Sequence, residues 1–110
     1  MAKYLVVETR DPFDSNDVDD IYELATGLAD DDSNDVTVFL VQNGVLPVRK
    51  KSSAAKRVAQ LAKKVTVLTD DFSLRERGIE VDEVVDGVKS SDIDTLVDLI
   101  AEDGRKVIWH

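Results

Sequence analysis

Short runs of β-branched and other apolar residues alternate with longer amphipathic stretches along the chain, and this alternation restricts the possible folds more than any other feature. The runs at residues 4–7, 36–41 and 65–68 are almost continuously apolar, which is typical of strands buried on both faces. Weaker runs at residues 88–90 and 106–109 bring the number of predicted strands to five. Strands that alternate with helices favour an open parallel sheet covered on both faces. We therefore predict a flavodoxin-like, three-layer α/β/α sandwich.

The stretches between these runs predict four helices, because their apolar residues recur every three or four positions. The first helix follows a candidate cap at Ser15, Asn16 or Asp17. The third is short and ends at Gly78, a residue suited to a helix C′ position. The fourth begins with Ser91 and Asp94, which resemble a capping box with Asp in place of Glu. We predict that its inward residues are Ile93, Leu96, Val97 and Ile100.

Length and composition exclude several classes of function. The 110 residues suit a single domain over residues 1–110, and the absence of cysteine excludes thiol and persulfide chemistry by this chain alone. A net charge of -9 opposes direct binding of nucleic acid, whose phosphates attract Lys and Arg. The sequence contains neither an apolar run of the ~20 residues that a membrane span needs nor a recognisable signal peptide, so we expect a cytoplasmic protein.

One stretch departs from the acidic character of the chain. It has two interpretations: a solvated loop and helix face, or a docking patch for an acidic partner or an anion. The basic residues of this stretch are Arg49, Lys50, Lys51, Lys56 and Arg57.

Ligands of open parallel sheets bind in a crevice at the carboxyl ends of the strands. We therefore predict that the functional site lies among the residues that follow the first three strands. Motifs for other chemistries are missing, since the only histidine is His110 at the end of the sequence and no glycine-rich phosphate loop is present. We predict no catalytic residue, metal or cofactor. The candidate crevice residues are Glu8, Thr9 and Arg10, then Gln42, Asn43 and Gly44, and finally Thr69, Asp70 and Asp71.

Asp70 and Asp71 are the most suggestive pair in this set, and they have two interpretations. They form either an N-cap with a first-turn acid, or a general base or Mg²⁺ site to which Glu8 adds a ligand. The second interpretation corresponds to a receiver-like domain or an acidic binding module. The acidic loop at residues 11–20 lacks the Gly and Glu spacing of an EF-hand, which favours a solvated loop.

Several segments together resemble the DsrE/DsrF/DsrH-like family, whose tRNA-thiolation branch is the TusBCD complex. They are "VTVFLVQNGV" (36–45), "VTVLTDDFSLRERGI" (65–79), "DGVKSSDIDTLVDLI" (86–100) and "VIW" (107–109). The resemblance covers nearly the whole chain. Its most specific parts are Asn43-Gly44-Val45, Arg77-Gly78-Ile79 and the closing Val107-Ile108-Trp109. The segment before Arg77 is similar to that of DsrH-like members.

The resemblance implies a sulfur-relay context, and the missing cysteine restricts the role. Active members carry a persulfide on a cysteine after the third strand, and this position corresponds to Asp70, which cannot hold a sulfane sulfur. The family also includes cysteine-free assembly subunits. The resemblance therefore implies a non-catalytic subunit that forms a trimer or hexamer, alone or with sister subunits, and contacts sulfur-carrier proteins.

Overall fold

The computed structural model describes residues 2–110 and contains one five-stranded, entirely parallel sheet in the order β4-β3-β2-β1-β5. The predicted α/β sandwich is therefore confirmed. The strands are β1 (Lys3–Glu8), β2 (Asp35–Leu40), β3 (Thr66–Asp70), β4 (Val88–Ser91) and β5 (Arg105–Trp109). The helices are α1 (Asp17–Ala29), α2 (Ala55–Lys64), α3 (Asp71–Glu76) and α4 (Ile93–Ala101), with 3₁₀ helices at Gln42–Val48 and Val81–Glu83.

The order of the strands determines which elements meet at the site. Successive crossovers run from β1 to β4 in one direction, and the chain then returns past β1 to add β5 on its other side. The carboxyl ends of β1, β2 and β3 are consequently adjacent, and the end of β5 lies beside that of β1. This arrangement places the predicted crevice residues along one edge.

The two faces of the sheet carry unequal cores. Alternate residues of the strands, such as Val6 and Val38, pack against α1, α2 and α3 in the larger cluster. The opposite set, including Val7 and Phe39, packs against α4 in a much smaller cluster, to which the helix contributes the buried Leu96 and the partly buried Leu99. The cluster on this face therefore includes residues of one short helix, the nine-residue α4.

The predicted orientation of the fourth helix was wrong for three of its four apolar residues. Leu96 is buried, whereas Ile93, Val97 and Ile100 are 56%, 55% and 38% exposed. Helix α4 has apolar residues on two sides, and only the side with Leu96 and Leu99 can face the sheet. The predicted capping box of Ser91 and Asp94 does not form. Instead, Asp92 is the N-cap of α4, and its side chain accepts a 2.8 Å hydrogen bond from the backbone amide of Thr95.

Other helix ends also differ from expectation. Asn16 occupies the N-cap of α1 but makes no side-chain capping bond. The segment after β2 folds into a 3₁₀ helix that includes Pro47. Within residues 2–110, no helix combines the length and apolar character needed to cross a membrane.

Candidate functional site

A crevice of about 550 Å³ lies at the carboxyl edge of the sheet, where the sequence predicted a site. Residues from the ends of β1, β2, β3 and β5 contribute to it, together with α3 and the start of α4. Its polar wall includes Thr9, Gln42, Asn43, Asp70, Ser73 and Arg77.

Asp70 is the buried carboxylate of this wall, with 7% of its surface exposed. Its Oδ2 accepts hydrogen bonds from the Ser73 amide (3.1 Å) and the Ser73 hydroxyl (2.6 Å). The Ser73 hydroxyl oxygen in turn accepts a 2.8 Å hydrogen bond from the backbone amide of Gln42. This bond connects the segment after β2 to α3. The predicted N-cap role is therefore present. The other oxygen, Oδ1, is buried and has no hydrogen-bond partner.

Asp71 does not act together with Asp70. Its carboxylate lies 3.3 Å from the Arg75 guanidinium, one turn further along α3, on the outer surface. The two neighbouring acids thus face different surroundings. In the part of the chain that the structure describes, no group of three His, Asp or Glu side chains converges as a metal site would require.

Arg77 closes one side of the crevice. Its Nε and Nη2 donate to Asn43 Oδ1 at 3.1 and 3.0 Å, and its Nη1 donates to the Ser73 carbonyl oxygen at 3.2 Å. Asn43, a predicted site residue, therefore orients an arginine that the crevice prediction omitted.

Gly44 is required by a close approach within the chain itself. A Cβ atom at this position would lie 2.2 Å from the Glu8 carbonyl oxygen, far inside van der Waals contact. The glycine after β2 therefore allows β1 and the 3₁₀ helix to meet.

Glu8 is fully buried rather than open to the crevice. Its Oε1 and Oε2 lie 2.8 and 2.9 Å from His110 Nδ1, and Oε2 also accepts from the Arg10 amide. The Thr9 hydroxyl donates to the His110 carbonyl oxygen, which holds the segment after β5 over β1. Arg10 itself is exposed and lines a separate, smaller pocket with Asp11 and its neighbours.

Sequence reasoning missed this Glu8–His110 pair. The two residues are 102 positions apart, and nothing in their local sequences marks them as neighbours. Only the pairing of β5 with β1 brings them together.

Tyr22 of α1 is buried close to this group, and its hydroxyl has no hydrogen-bond partner. Burial raises the pKa of the Tyr22 hydroxyl, and the negative charges of Glu8 and Asp19 raise it further. The phenol therefore stays protonated under neutral conditions.

The rim of the crevice is apolar and open to solvent. Phe72, Ile93 and Trp109 are 58%, 56% and 61% exposed, although each has a large hydrophobic side chain. They continue onto the outer side of α4, where Val97 and Ile100 are exposed as well. A buried carboxylate thus lies beside a contiguous set of exposed apolar side chains, the kind of surface that binds other proteins.

The basic stretch at residues 49–57 contains two arginines, and each of them pairs with an acidic residue of the same chain. Arg57 Nη1 lies 2.5 Å from an Asp19 oxygen, and Arg49 Nε lies 3.8 Å from Glu83. The three lysines, Lys50, Lys51 and Lys56, are exposed. A docking role for this stretch stays a prediction.

Solved structures confirm the fold. The ychN protein from E. coli superposes with a TM-score of 0.86 at 21% identity, and both chains are covered completely. MTH1491 from Methanobacterium thermoautotrophicum, a protein of unknown function, matches with a TM-score of 0.84 at 22% identity over 100% of both chains. BT1422 from Bacteroides thetaiotaomicron matches at 0.80 and 12% identity, covering 98% of this chain and 94% of its own.

The comparison of sequences is more specific. No curated protein matches the chain significantly. The family model described as "DsrH like protein" matches residues 10–106, which include most of the crevice wall and all of α3 and α4. The chain therefore belongs to the DsrH-like protein family.

Proposed function

We propose that this protein is a non-catalytic subunit of an intracellular sulfur-relay system, in which it assembles with itself or with cysteine-bearing sister subunits. In this role it helps to dock the proteins that deliver or receive sulfur. Membership of the DsrH-like family supports the sulfur-relay context.

The observation that carries this proposal is the state of Asp70. This residue occupies the position that the family resemblance assigns to the persulfide cysteine, and the chain has no cysteine elsewhere. Its Oδ2 is engaged in capping α3, so the side chain supports the local structure. Since no residue of the chain can carry a sulfane sulfur, the sulfur must be held by another subunit.

The outer side of α4 supports an assembly role. Ile93, Val97 and Ile100 form a stripe of exposed apolar side chains along the helix. Protein surfaces rarely leave such side chains grouped in water unless a partner covers them. A trimer or hexamer, as the family resemblance implies, would bury this stripe.

The test begins with the native mass of the purified chain, measured by mass spectrometry and light scattering. The chain is then co-expressed with cysteine-bearing sister proteins of the DsrE/DsrF/DsrH-like family. We expect a closed oligomer, or a defined complex with the sister proteins, and persulfide labelling only on the sister subunits.

Two results would contradict the proposal. One is a strictly monomeric chain that forms no complex with cysteine-bearing sister proteins. The other is a complex in which sulfur transfer proceeds at the same rate with and without this chain.

A further inference from the structure

We infer that a lysine-rich surface at helix α2 docks an acidic segment of a partner protein. Carboxylates of the partner pair with the lysines, and an apolar side chain of the same segment enters a groove beside them. This inference rests on the docking part of the proposed function and adds the chemistry of the docked segment. The lysines of this surface are Lys50, Lys51, Lys56, Lys63 and Lys64.

The positive charges of the chain are segregated into one segment. Residues 49–64 contain seven of the 14 Lys and Arg residues and no Asp or Glu. The other 94 residues contain the remaining seven and all 23 acids, which gives them a net charge of -16. A local positive field of this kind attracts anionic groups to one part of an otherwise acidic molecule.

The five lysines are available to a partner. The two arginines of the same segment already pair within the chain, Arg57 with Asp19 and Arg49 with Glu83. In contrast, none of the five lysines forms a salt bridge within residues 2–110, and all five are exposed. Their ammonium groups can therefore pair with carboxylates from outside the chain without breaking an internal ion pair.

A groove of about 500 Å³ lies between α2 and the segment before β4. Lys50 and Lys63 both line it, and Asp86 is the acid in its lining, so the groove keeps a net positive charge. The rest of the lining is small or apolar and consists of Ala59, Ala62, Val85 and Gly87. An apolar floor with charged groups at its border suits an apolar side chain that is flanked by carboxylates.

A protein segment fits this surface better than a nucleic acid does. Screening limits the field of the lysines to about 8 Å at physiological salt, so a short acidic segment interacts mainly with the lysines. A nucleic acid extends beyond them, and its phosphates are repelled by the net charge of -16 on the rest of the chain. The apolar floor of the groove also favours an amino-acid side chain over a phosphodiester backbone.

The lysine-rich surface stays free when the outer side of α4 is covered. Helix α2 packs in the larger core cluster, and α4 packs in the smaller cluster on the opposite face of the sheet. The sheet therefore separates the lysines from the exposed apolar stripe of α4, to which the proposed function assigns assembly. One subunit can thus assemble through α4 and dock an acidic segment at α2 at the same time.

The experiment titrates the ¹⁵N-labelled full chain at low salt with acetyl-Glu-Asp-Leu-Glu-Glu-Leu-Asp-Glu-amide and follows the backbone amides by NMR. In the control peptide, Gln and Asn replace the acids, which keeps their size but removes their charge. We expect the acidic peptide to shift the signals of Lys50, Lys63 and Gly87 and to leave that of Val97 in place. The neutral peptide should bind at least about tenfold more weakly, since several ion pairs are lost together.

Two double variants test whether the binding belongs to the groove. Lys50→Gln with Lys63→Gln removes both ammonium groups from its lining and should weaken binding about fivefold or more. Lys89→Gln with Lys106→Gln removes the same charge from exposed lysines of the edge strands β4 and β5. Lys89 follows Val88 of the larger cluster and so lies on the α4 face of the sheet, and β5 is the edge away from the groove. This control should change the affinity less than about twofold.

Each contrary outcome overturns a defined part of the inference. Equal binding of the acidic and neutral peptides, or equal affinity of the unaltered chain and the Lys50→Gln, Lys63→Gln variant, would overturn the lysine site. An equal loss in both double variants would assign the effect to net charge and overturn the groove. Tighter binding of an octauridylate RNA at the same amides would overturn the protein partner. None of these results depends on the native mass or on sister proteins, so the proposed function succeeds or fails separately.

Discussion

Single residues at the carboxyl edge of the sheet are constrained by neighbours that lie far away in the sequence. Gly44 packs against the Glu8 carbonyl oxygen, and Ser73 joins Asp70 to Gln42. These contacts hold the ends of the first three strands together and give the crevice a defined wall. Changes at this edge should therefore affect stability more than similar changes elsewhere.

Gly44→Ala should lower the free energy of unfolding by about 1–3 kcal/mol, because the added Cβ overlaps the Glu8 carbonyl oxygen and the backbone must move. Gly27→Ala is the matched control, since no atom lies within 4 Å of its added Cβ. In the interior of α1, alanine should raise stability by about 0.5–1 kcal/mol. Urea unfolding of both variants measures the difference, and equal effects would contradict the close approach.

Tyr22→Phe should leave stability unchanged or raise it by about 1 kcal/mol at neutral pH, because it removes a buried hydroxyl that has no partner. The fold also resists ionisation of this phenol, whose pKa is raised by burial. In the unfolded chain the pKa returns to about 10, so the folded state loses stability as the pH rises above that value.

The advantage of Tyr22→Phe should therefore grow between neutral pH and about pH 11. Denaturant unfolding at several pH values measures this difference. Tyr4→Phe, at a tyrosine that is only partly buried, serves as the comparison. A constant difference between Tyr22→Phe and the unaltered chain would show that Tyr22 ionises with equal ease in the folded and unfolded states.

Among the elements, α4 carries apolar residues on two different sides. Leu96 and Leu99 cover the sheet, whereas Ile93, Val97 and Ile100 remain on the outside. The helix is held at its start by the Asp92 cap, and its outer side contributes little to the core of one chain. Substitutions on that outer side should thus separate assembly from folding.

Val97→Lys should reduce the native mass of the assembly while the circular dichroism and the thermal unfolding of each chain change little. A lysine in the middle of a buried apolar interface lacks a partner for its charge. Leu24→Lys is the control, as Leu24 is 41% exposed on α1 at a distance from this stripe. An unaltered mass for Val97→Lys would show that this side of α4 is not the interface.

For the whole molecule, the net charge of -9 acts within a small volume, with a Cα radius of gyration of 12.8 Å. Charges of one sign repel each other in the compact state and favour unfolding. Most of the ion pairs are partly exposed, and such pairs contribute little stability. The repulsion should therefore dominate the response to salt.

Raising NaCl from about 0.01 to 0.15 M should stabilise the fold at pH 7, because the screening length falls from about 30 to 8 Å. The effect should disappear near the isoelectric point of about 4.4, where the net charge is zero. Thermal unfolding at low and high salt, at pH 7 and near pH 4.4, measures this change in stability. Destabilisation by salt at pH 7 would mean that the ion pairs outweigh the repulsion.

The sequence by itself determined the element types and their order, because hydrophobic periodicity and caps are local properties. The apolar runs before Glu8, Gln42 and Asp70 predicted the strands, and the parallel arrangement then predicted the edge where the crevice lies. The capping role of Asp70 was also one of its two interpretations, and the family resemblance is carried by short contiguous segments.

Only the tertiary structure decided which side of an ambiguous element is buried and which distant residues meet. Helix α4 has apolar residues on two sides, so its sequence does not state which side packs on the sheet. The placement of β5 beside β1 brings His110 onto Glu8, and the turn after β2 brings Arg77 onto Asn43. Such contacts depend on the order of the strands, which local patterns leave open because they carry no information about distant neighbours.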